Sequence, residues 1–314
     1  MLNSLYKSVR WGLIGALVLV GASGCSQAPK ETPTHTPKPS ISSGEGPSPD
    51  TALERKVFYY PDNEMRGERP EGVEEVWIET SDGLKLVGWQ LSPPEGAVIG
   101  VYFHGNGGNI SSLGGVVDDY RAAGLGLVLV DYRGFGKSEG EPSEDGLYLD
   151  GLATFDYARK TFPEHPILIH GRSLGGGVAS YVAEHREGCG LILESSFTST
   201  TEVARFSHGD KGAGMVDGFD TLSRLTSIEE PIWSIHGADD DTIPFFMSEE
   251  LQTAARKPKG LWAIEGAGHN NVRKVAGEEY SSRLKRFAEE CSTQFNQQEP
   301  APEHPTSFEA PRHR

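Results

Sequence analysis

Positive charge is scarce in this sequence. Among its 314 residues, 45 Asp and Glu outnumber 29 Lys and Arg, and the formal net charge at pH 7 is −16. Because nucleic-acid binding depends on neutralising phosphates with lysine and arginine, this balance excludes nucleic acid as an expected partner. The sequence also lacks an internal repeat. Between two polar ends, about 240 residues remain, which is enough for one α/β domain with a substantial core.

The N-terminal region lacks a hydrophobic run long enough to cross a membrane. Residues 11–20 are apolar, but a bilayer span needs about 20 such residues. Lys7 and Arg10 precede the run. A positively charged start followed by a short apolar run predicts an export signal, here over residues 1–24.

The predicted signal ends in small residues directly before Cys25. This pattern resembles the bacterial lipoprotein signal, although Ala22 stands where leucine is usual. The resemblance implies that Cys25 is lipidated and becomes the new N-terminus. We therefore expect an exported protein that is held on the cell membrane by a lipid anchor. An ordinary cleaved signal and an uncleaved anchor are the alternatives.

Cysteine is rare, and beyond Cys25 only Cys189 and Cys291 remain. An exported protein can join such a pair as a disulfide. The sequence gives no distance between the two thiols, so the bonded and the free state both stay open.

Proline-rich and polar segments flank the middle of the chain. They lack apolar periodicity, which predicts a disordered tether over residues 25–51 and a disordered tail over residues 292–314. The folded domain is therefore expected over residues 52–291.

Strands and helices alternate along the predicted domain. Short apolar runs predict strands over 73–80, 84–91, 98–103, 127–130, 167–170, 190–193, 232–235 and 261–264. Helical spacing of apolar residues predicts helices over 111–123 and 143–161, after Ser173, and over 247–255 and 272–287. Such alternation indicates a mostly parallel central sheet with helices on both faces.

The stretch 167–177 carries the most informative motif. An apolar strand leads into Gly-Arg-Ser-Leu-Gly at 171–175, and a helical pattern follows. A serine at such a strand-to-helix turn is held in a strained conformation, with its hydroxyl above the sheet edge. Ser173 is therefore the candidate nucleophile. A glycine-rich turn without chemistry is the alternative interpretation.

Two further features fall at the carboxyl ends of predicted strands, where sheets of this kind bind ligands. Asp239, Asp240 and Asp241 follow one strand, and His269 follows the last one. A serine nucleophile needs a neighbouring base, and a histidine base needs a carboxylate that holds its tautomer. A solvated acidic turn and a loop histidine are the alternatives for each feature alone, but their joint placement predicts a Ser-His-Asp triad.

A glycine-rich loop, His-Gly-Asn-Gly-Gly-Asn at 104–109, follows the strand 98–103. Acyl transfer passes through an oxyanion, which needs two N–H donors aimed at it. The backbone N–H groups of Asn106 and Leu174 are the candidate oxyanion hole. A phosphate-binding loop is the alternative, but no Gly-Lys-Ser/Thr follows the glycines.

In combination, these motifs resemble the α/β-hydrolase superfamily over about residues 73–290. They most resemble the branch that holds the eukaryotic protein depalmitoylases and many uncharacterised bacterial hydrolases. The resemblance rests on Tyr-Phe-His-Gly-Asn-Gly-Gly-Asn at 102–109, Asp-Tyr-Arg-Gly-Phe-Gly-Lys-Ser at 131–138, Gly-Arg-Ser-Leu-Gly at 171–175, Glu-Ser-Ser-Phe at 194–197 and Gly-His-Asn at 268–270.

The resemblance implies roles for individual residues. Ser173 is the nucleophile, His269 the base, and an aspartate of 239–241 the third member of the triad. Family members read Gly-x-x-Asp here, with the aspartate four residues before a proline, and both rules select Asp240. Asp131 and Arg133 match a loop beside the active site, where their role is structural.

Relatives carry a lid in the segment that corresponds to residues 195–231. Here the segment is too short for a large cap, so either it leaves the pocket lightly covered or it forms the helix that joins two strands. We expect a lipid-anchored serine hydrolase that cleaves a carboxylic ester or thioester of a small-molecule or acylated substrate through an acyl-enzyme, without metal or cofactor. A serine peptidase of the same fold and a non-catalytic surface binding protein are the alternatives. The sequence does not give the oligomeric state.

Overall fold

The computed structural model describes residues 58–214 and 218–297. The predicted signal, the tether and Cys25 lie outside these residues, as do residues 298–314 of the predicted tail. Within the described ranges, no helix combines the length and the apolar character that a bilayer crossing requires.

An eight-stranded sheet forms the centre of the described domain. Its strands are β1 (Glu74–Glu79), β2 (Lys85–Leu91), β3 (Ile99–Phe103), β4 (Gly126–Val130), β5 (Ile167–Arg172), β6 (Gly190–Glu194), β7 (Ile232–Gly237) and β8 (Pro258–Ile264). Their order across the sheet is β8-β7-β6-β5-β3-β4-β2-β1. β2 pairs antiparallel with β1 and β4, and all other neighbours are parallel. The predicted mostly parallel sheet is therefore confirmed.

Helices occupy most of the connections between the strands. They are α1 (Gly114–Ala122), α2 (Glu144–Thr161), α3 (Leu174–His185), α4 (Thr200–Ala213), α5 (Thr221–Arg224), α6 (Phe245–Ala254), α7 (Val272–Ala276) and α8 (Glu278–Gln297). The helix predicted over 111–123 is divided into a 3₁₀ turn, Ile110–Ser112, and α1. α8 continues past the domain boundary predicted at residue 291, because no proline or glycine interrupts the chain before Pro300.

Both faces of the sheet are covered by apolar packing. On one face, side chains of α2, α3 and α6 such as Phe155, Val178 and Leu251 belong to one buried cluster. On the other face, Val117 of α1 and Leu284 of α8 belong to a second cluster. Successive residues of one strand supply opposite clusters, as the period of two requires. The carboxyl edge of the parallel strands is thereby left free of the two helical layers.

A disulfide joins Cys189, just before β6, to Cys291 in α8. The Cα atoms of the two residues are 4.9 Å apart. The question that the sequence left open is therefore answered by the packing of α8 against the sheet, which brings together residues 102 positions apart.

The segment 195–231 divides into two parts. α5 and the buried Phe219 pack against α3, and a Cβ built at Gly177 of α3 would stand 2.7 Å from the Phe219 ring. This part is a connection between strands. Most side chains of α4 are exposed or half-buried, among them Phe206, which is 53% exposed.

Candidate active site

Ser173 lies in the tight turn between β5 and α3. Its φ of 54° is in the left-handed region, which a serine adopts only when the surroundings impose it. A Cβ at Gly171 would stand 2.2 Å from the carbonyl oxygen of Gly175, and one at Gly175 would stand 2.0 Å from that of Phe103. The two glycines of the motif are therefore required by the close approach of β3, β5 and α3.

The structure brings Ser173, His269 and Asp240 into one chain of contacts. The Oγ of Ser173 lies 3.1 Å from Nε2 of His269, and Nδ1 of His269 lies 2.8 Å from Oδ2 of Asp240. The three side chains come from the ends of β5, β7 and β8, which are separated in sequence but lie at the same edge of the sheet. A serine hydroxyl, an imidazole and a carboxylate in this order can activate the serine as a nucleophile.

Asp240 is held as an ionised acceptor. Burial alone would raise its pKa, but the hydrogen bonds from His236 and His269 outweigh burial and hold the pKa well below its usual range. The backbone N–H groups of Thr242 and Ile243 also donate to its Oδ1, at 2.9 and 2.8 Å. Since Oδ1 is held by these two donors, Oδ2 is left to face His269.

The neighbouring aspartates do not share this position. Asp240 is 8% exposed, whereas Asp239 and Asp241 are both exposed. The backbone N–H of Asp239 donates to the carbonyl of Ala267 at 2.9 Å, which ties the acid loop to the histidine loop. Of the three, Asp240 is the aspartate that contacts His269.

The two residues predicted for the oxyanion hole flank Ser173. Leu174 is the first residue of α3, so its N–H is one of the four that find no partner within a helix. The loop 104–109 passes alongside, because a Cβ built at Gly105 would stand 3.6 Å from that of Ser173. The side-chain amide of Asn106 donates to the carbonyl of Phe58 at 3.0 Å, and the backbone carbonyl of Asn106 accepts from the N–H of Tyr60 at 2.8 Å.

Two buried titratable groups, His104 at the start of this loop and Asp131 after β4, lie close together. His104 Nδ1 is 2.6 Å from the carbonyl oxygen of Gly105, so Nδ1 carries the proton. Burial lowers the pKa of His104 to about 4, and burial raises the pKa of Asp131 to about 7. His104 Nε2 and Asp131 Oδ1 are 3.6 Å apart, too far for a hydrogen bond. Arg133 instead pairs with Asp150 and Asp82, away from this contact.

The sequence motifs contain Arg172 and Glu194 but predict no contact for either residue. Arg172 is the variable residue before Ser173 in Gly-Arg-Ser-Leu-Gly, and Glu194 belongs to the motif Glu-Ser-Ser-Phe. In the structure the two are register partners at the ends of β5 and β6. Because side chains alternate between the two faces of a strand, Arg172 could have been expected to point away from Ser173 and toward the neighbouring strand.

In the described part of the chain, no three His, Cys, Asp or Glu side chains are grouped so as to hold a metal ion. The absence of a cofactor stays a prediction.

Comparison with known proteins places this arrangement in a family. Residues 92–209 match the family model described as serine aminopeptidase, S33. The uncharacterized protein YfhR of Salmonella typhi is 33% identical over 233 residues, covering 68% of this chain and 80% of that protein. The alpha/beta hydrolase domain-containing protein 17B of Xenopus laevis is 34% identical over 188 residues, or 57% of this chain and 63% of that protein.

The fold has close counterparts among solved structures. The esterase Pf2001 of Pyrococcus furiosus superposes with a TM-score of 0.63 at 22% identity, covering 73% of this chain and 98% of the esterase. The sheet order, the serine turn after β5 and the sequence relatives agree. This chain therefore belongs to the α/β-hydrolase superfamily and is a hydrolase of that fold.

Proposed function

We propose that the protein is a serine hydrolase that cleaves a carboxylic ester or thioester through an acyl-enzyme. The contact chain from Ser173 Oγ through His269 to Asp240, at 3.1 and 2.8 Å, carries the proposal. His269 takes the proton of Ser173 as Oγ attacks the acyl carbon, and then gives it to the leaving group. The ionised Asp240 accepts from Nδ1–H and stabilises the imidazolium that forms.

The backbone N–H groups of Leu174 and Asn106 bind the oxyanion in this proposal. Support comes from the position of Leu174 at the positive end of the α3 dipole. It also comes from the two hydrogen bonds that fix Asn106 against residues 58 and 60. In the second half of the reaction, His269 takes a proton from water as the water oxygen attacks the acyl carbon. The bond to Ser173 Oγ then breaks, Oγ takes the proton back from His269, and the carboxylic acid is released.

A cleft of about 450 Å³ is a candidate site for the acyl group, although its lining includes neither Ser173 nor His269. It lies between the segment that follows β6 and the start of α6, at the same edge of the sheet as Ser173. Its lining mixes hydroxyl, apolar and acidic side chains, among them Thr198, Leu222, Phe246, Glu202, Asp220 and Glu250. A long free acyl chain needs a continuous apolar wall. We therefore propose short acyl chains, or acyl groups displayed on a surface, as substrates.

Covalent labelling tests the nucleophile. A fluorophosphonate probe should label the wild type, and Ser173→Ala should lose both the label and the hydrolysis of nitrophenyl esters and acyl thioesters. His269→Ala should lose nearly as much activity, because triad members act as a unit. Ser227→Ala and His185→Ala are matched controls at the opposite edge of the sheet, and they should react like the wild type.

Each result of this experiment decides between functions. A fully labelled Ser173→Ala variant would refute the assignment of the nucleophile. Turnover of His269→Ala within about threefold of the wild type, a difference under about 1 kcal/mol, would exclude His269 as the base. A wild type that is folded yet neither labelled nor active would favour the non-catalytic binding protein.

A serine peptidase is the second candidate. The matched family model is described as a serine aminopeptidase, and the cleft carries Glu202, Asp220 and Glu250. Carboxylates are the groups that bind the α-ammonium of a peptide. Aminoacyl nitroanilides should therefore be compared with nitrophenyl esters by kcat/KM. Cleavage of the anilides that Glu250→Gln weakens selectively would support the peptidase, and inert anilides would exclude it.

We also propose export and a lipid anchor at Cys25. The small residues before Cys25 support lipidation, and the disulfide between Cys189 and Cys291 supports an oxidising compartment. Cys25→Ala should release the protein into the soluble exported fraction or leave it tethered by an uncleaved signal. Mass spectrometry of the mature N-terminus decides: an unmodified N-terminus beyond residue 25 would rule lipidation out.

A further inference from the structure

Arg172 connects the two loops that flank Ser173. Its Nη2 donates two hydrogen bonds of 2.8 Å, one to the backbone carbonyl of His269 and one to Oδ1 of Asn270. On its other side, Nη1 would stand 3.2 Å from a Cβ built at Gly105. One guanidinium therefore touches the loop of the base and packs against the loop of the oxyanion hole.

A buried carboxylate fixes the other end of this guanidinium. Nε of Arg172 lies 3.6 Å from Oε1 of Glu194, whose side chain is 1% exposed. Tyr280 of α8 donates to Oε2 of Glu194 at 2.5 Å, and Nε2 of His170 lies 3.4 Å from the same oxygen. Glu194 is thus held from the strand beside it and from the helix that covers the sheet.

Glu194 is ionised in this position. Burial alone would raise its pKa, but the contact with His170 and the charges of Arg172 and Arg273 hold the pKa at about 2. An ion pair with a rigid, buried partner orients a guanidinium better than two mobile surface side chains do. The strand register that places Arg172 opposite Glu194 therefore also fixes where Nη2 points.

The base has two independent supports as a result. Asp240 holds the imidazole ring of His269 through Nδ1, and Arg172 holds the backbone of the same residue through its carbonyl. The first support sets the tautomer and the ring rotation. The second sets the distance of the whole residue from Ser173, since Arg172 is the direct chain neighbour of that serine.

We propose that Arg172 is a positioning residue, anchored by Glu194, that holds the His269 loop and the Gly105–Asn106 loop at their working distances from Ser173. This inference rests on the proposed function, because it assumes that Ser173 and His269 react. Arg172 touches neither substrate nor reacting atoms in this account. Its loss moves the base and the oxyanion donors, and a misplacement of about 1 Å can cost about 100-fold in rate.

The test compares Arg172→Met, Arg172→Lys and Arg186→Met. Arg186, directly after α3, is the matched control. Its side chain is 34% exposed against 22% for Arg172, and it donates two hydrogen bonds to Asp156 of α2. Kinetics with a nitrophenyl ester give kcat and KM, fluorophosphonate titration counts reactive serines, and thermal melting reports folding.

A positioning role predicts a specific pattern. Arg172→Met should lower kcat by about 10- to 100-fold with KM changed by less than about threefold, while the count of reactive serines stays full. The kcat of Arg172→Lys should be at least about threefold higher than that of Arg172→Met, since an ammonium can donate to both acceptors. Arg186→Met should keep kcat within about twofold of the wild type.

Glu194→Gln provides a second line that does not depend on the arginine variants. If Glu194 acts through Arg172, the two losses should not multiply. The kcat of the double variant, Arg172→Met with Glu194→Gln, should then lie within about threefold of the kcat of the slower single variant. An Arg172→Met kcat within twofold of the wild type would overturn the inference, as would a loss that only follows the number of reactive serines. A wild type without label or turnover would instead refute the proposed function itself.

Discussion

The substitution Asp131→Asn is expected to stabilise the protein at alkaline pH. Asp131 is fully buried after β4. Its Oδ1 accepts from the N–H of Ile110 at 2.7 Å, and within the described residues its Oδ2 has no hydrogen-bond partner. His104, 3.6 Å away, is neutral because burial lowers its pKa to about 4. The ionised carboxyl group would therefore have no cationic side chain beside it and no exposure to bulk solvent.

The size of the effect follows from the pKa of Asp131. An unfolded chain releases this proton near pH 3.8, while burial makes the folded chain keep it until about pH 7. Between these values the folded chain binds more protons, so the free energy of unfolding falls by about 1.4 kcal/mol for each pH unit. The stability present below pH 3.8 is thus reduced by up to about 4 kcal/mol once the pH passes 7. Asparagine keeps an acceptor for Ile110 and carries no charge, so it removes this loss.

Urea unfolding of the wild type and Asp131→Asn at pH 5 and pH 8 measures the effect. The stability of the variant relative to the wild type should increase by about 3 kcal/mol between the two conditions, whatever its value at pH 5. A difference that is the same at both pH values would refute the reasoning. It would mean that Asp131 is ionised at pH 5 and that its charge is solvated or paired.

Asp150→Asn is the matched control for burial. Asp150 is also fully buried, but it accepts from the backbone N–H and the Nε of Arg133, at 2.8 and 2.9 Å. Asparagine there leaves the buried guanidinium with Asp82 as its remaining carboxylate partner among the described residues. Burial raises the pKa of Asp150 as well, to about 6, so the stability of this variant relative to the wild type should rise by only about 1.4 kcal/mol between pH 5 and pH 8, about half the change expected for Asp131→Asn. Because the substitution also breaks a buried ion pair, the control should remain less stable than the wild type. If both variants were stabilised alike, the missing partner of Asp131 would not be the cause.

Three further outcomes are expected. Asp240→Asn should lose most turnover, because Asp240 is the one of the three aspartates that contacts His269. Asp239→Asn and Asp241→Asn should keep at least about a tenth of the wild-type kcat, a cost under about 1.4 kcal/mol. An inactive variant at 239 or 241 would shift the assignment of the acid by one residue. Cys189→Ser should lower the free energy of unfolding by about 2–5 kcal/mol in denaturant, and an unchanged midpoint would show that the disulfide contributes nothing. Specificity constants for a series of nitrophenyl esters should level off before about ten acyl carbons. A rise that continues at about 0.8 kcal/mol per CH₂ would contradict the proposed limit on acyl length.

The sequence predicts the elements whose cause is local. Each strand carries an apolar run, and a motif that follows a strand must lie at the carboxyl edge of a parallel sheet. This is why Ser173, His269 and the aspartates could be grouped before their distances were known. The family resemblance selects Asp240 among three adjacent aspartates by its spacing from Gly237 and Pro244, and in the structure Asp240 accepts the two backbone hydrogen bonds of this turn.

The support of the site depends on contacts that no local pattern contains. Arg172 and Glu194 face each other only because β5 and β6 are neighbours in that register. Tyr280 reaches Glu194 only because α8 packs on that face of the sheet. The disulfide has the same origin, since the sequence shows two cysteines but not the helix that brings them together. Strand order and helix docking are decided by the whole core, so these contacts require the three-dimensional structure.

Two features at the carboxyl edge of the sheet, where the proposed reaction takes place, lower stability. The left-handed backbone of Ser173 costs about 1–3 kcal/mol, and β5 cannot relax it because β5 is hydrogen-bonded to β3 on one side and β6 on the other. Asp131 adds a buried carboxyl oxygen, Oδ2, that has no hydrogen-bond partner within the described residues. Strain and unpaired polar groups in one place are expected where activity, not stability, determines the residue. At pH 8, Asp131→Asn should therefore give a more stable protein whose turnover is unchanged or lower. A variant that is both more stable and faster would show that activity and stability do not oppose each other at this residue.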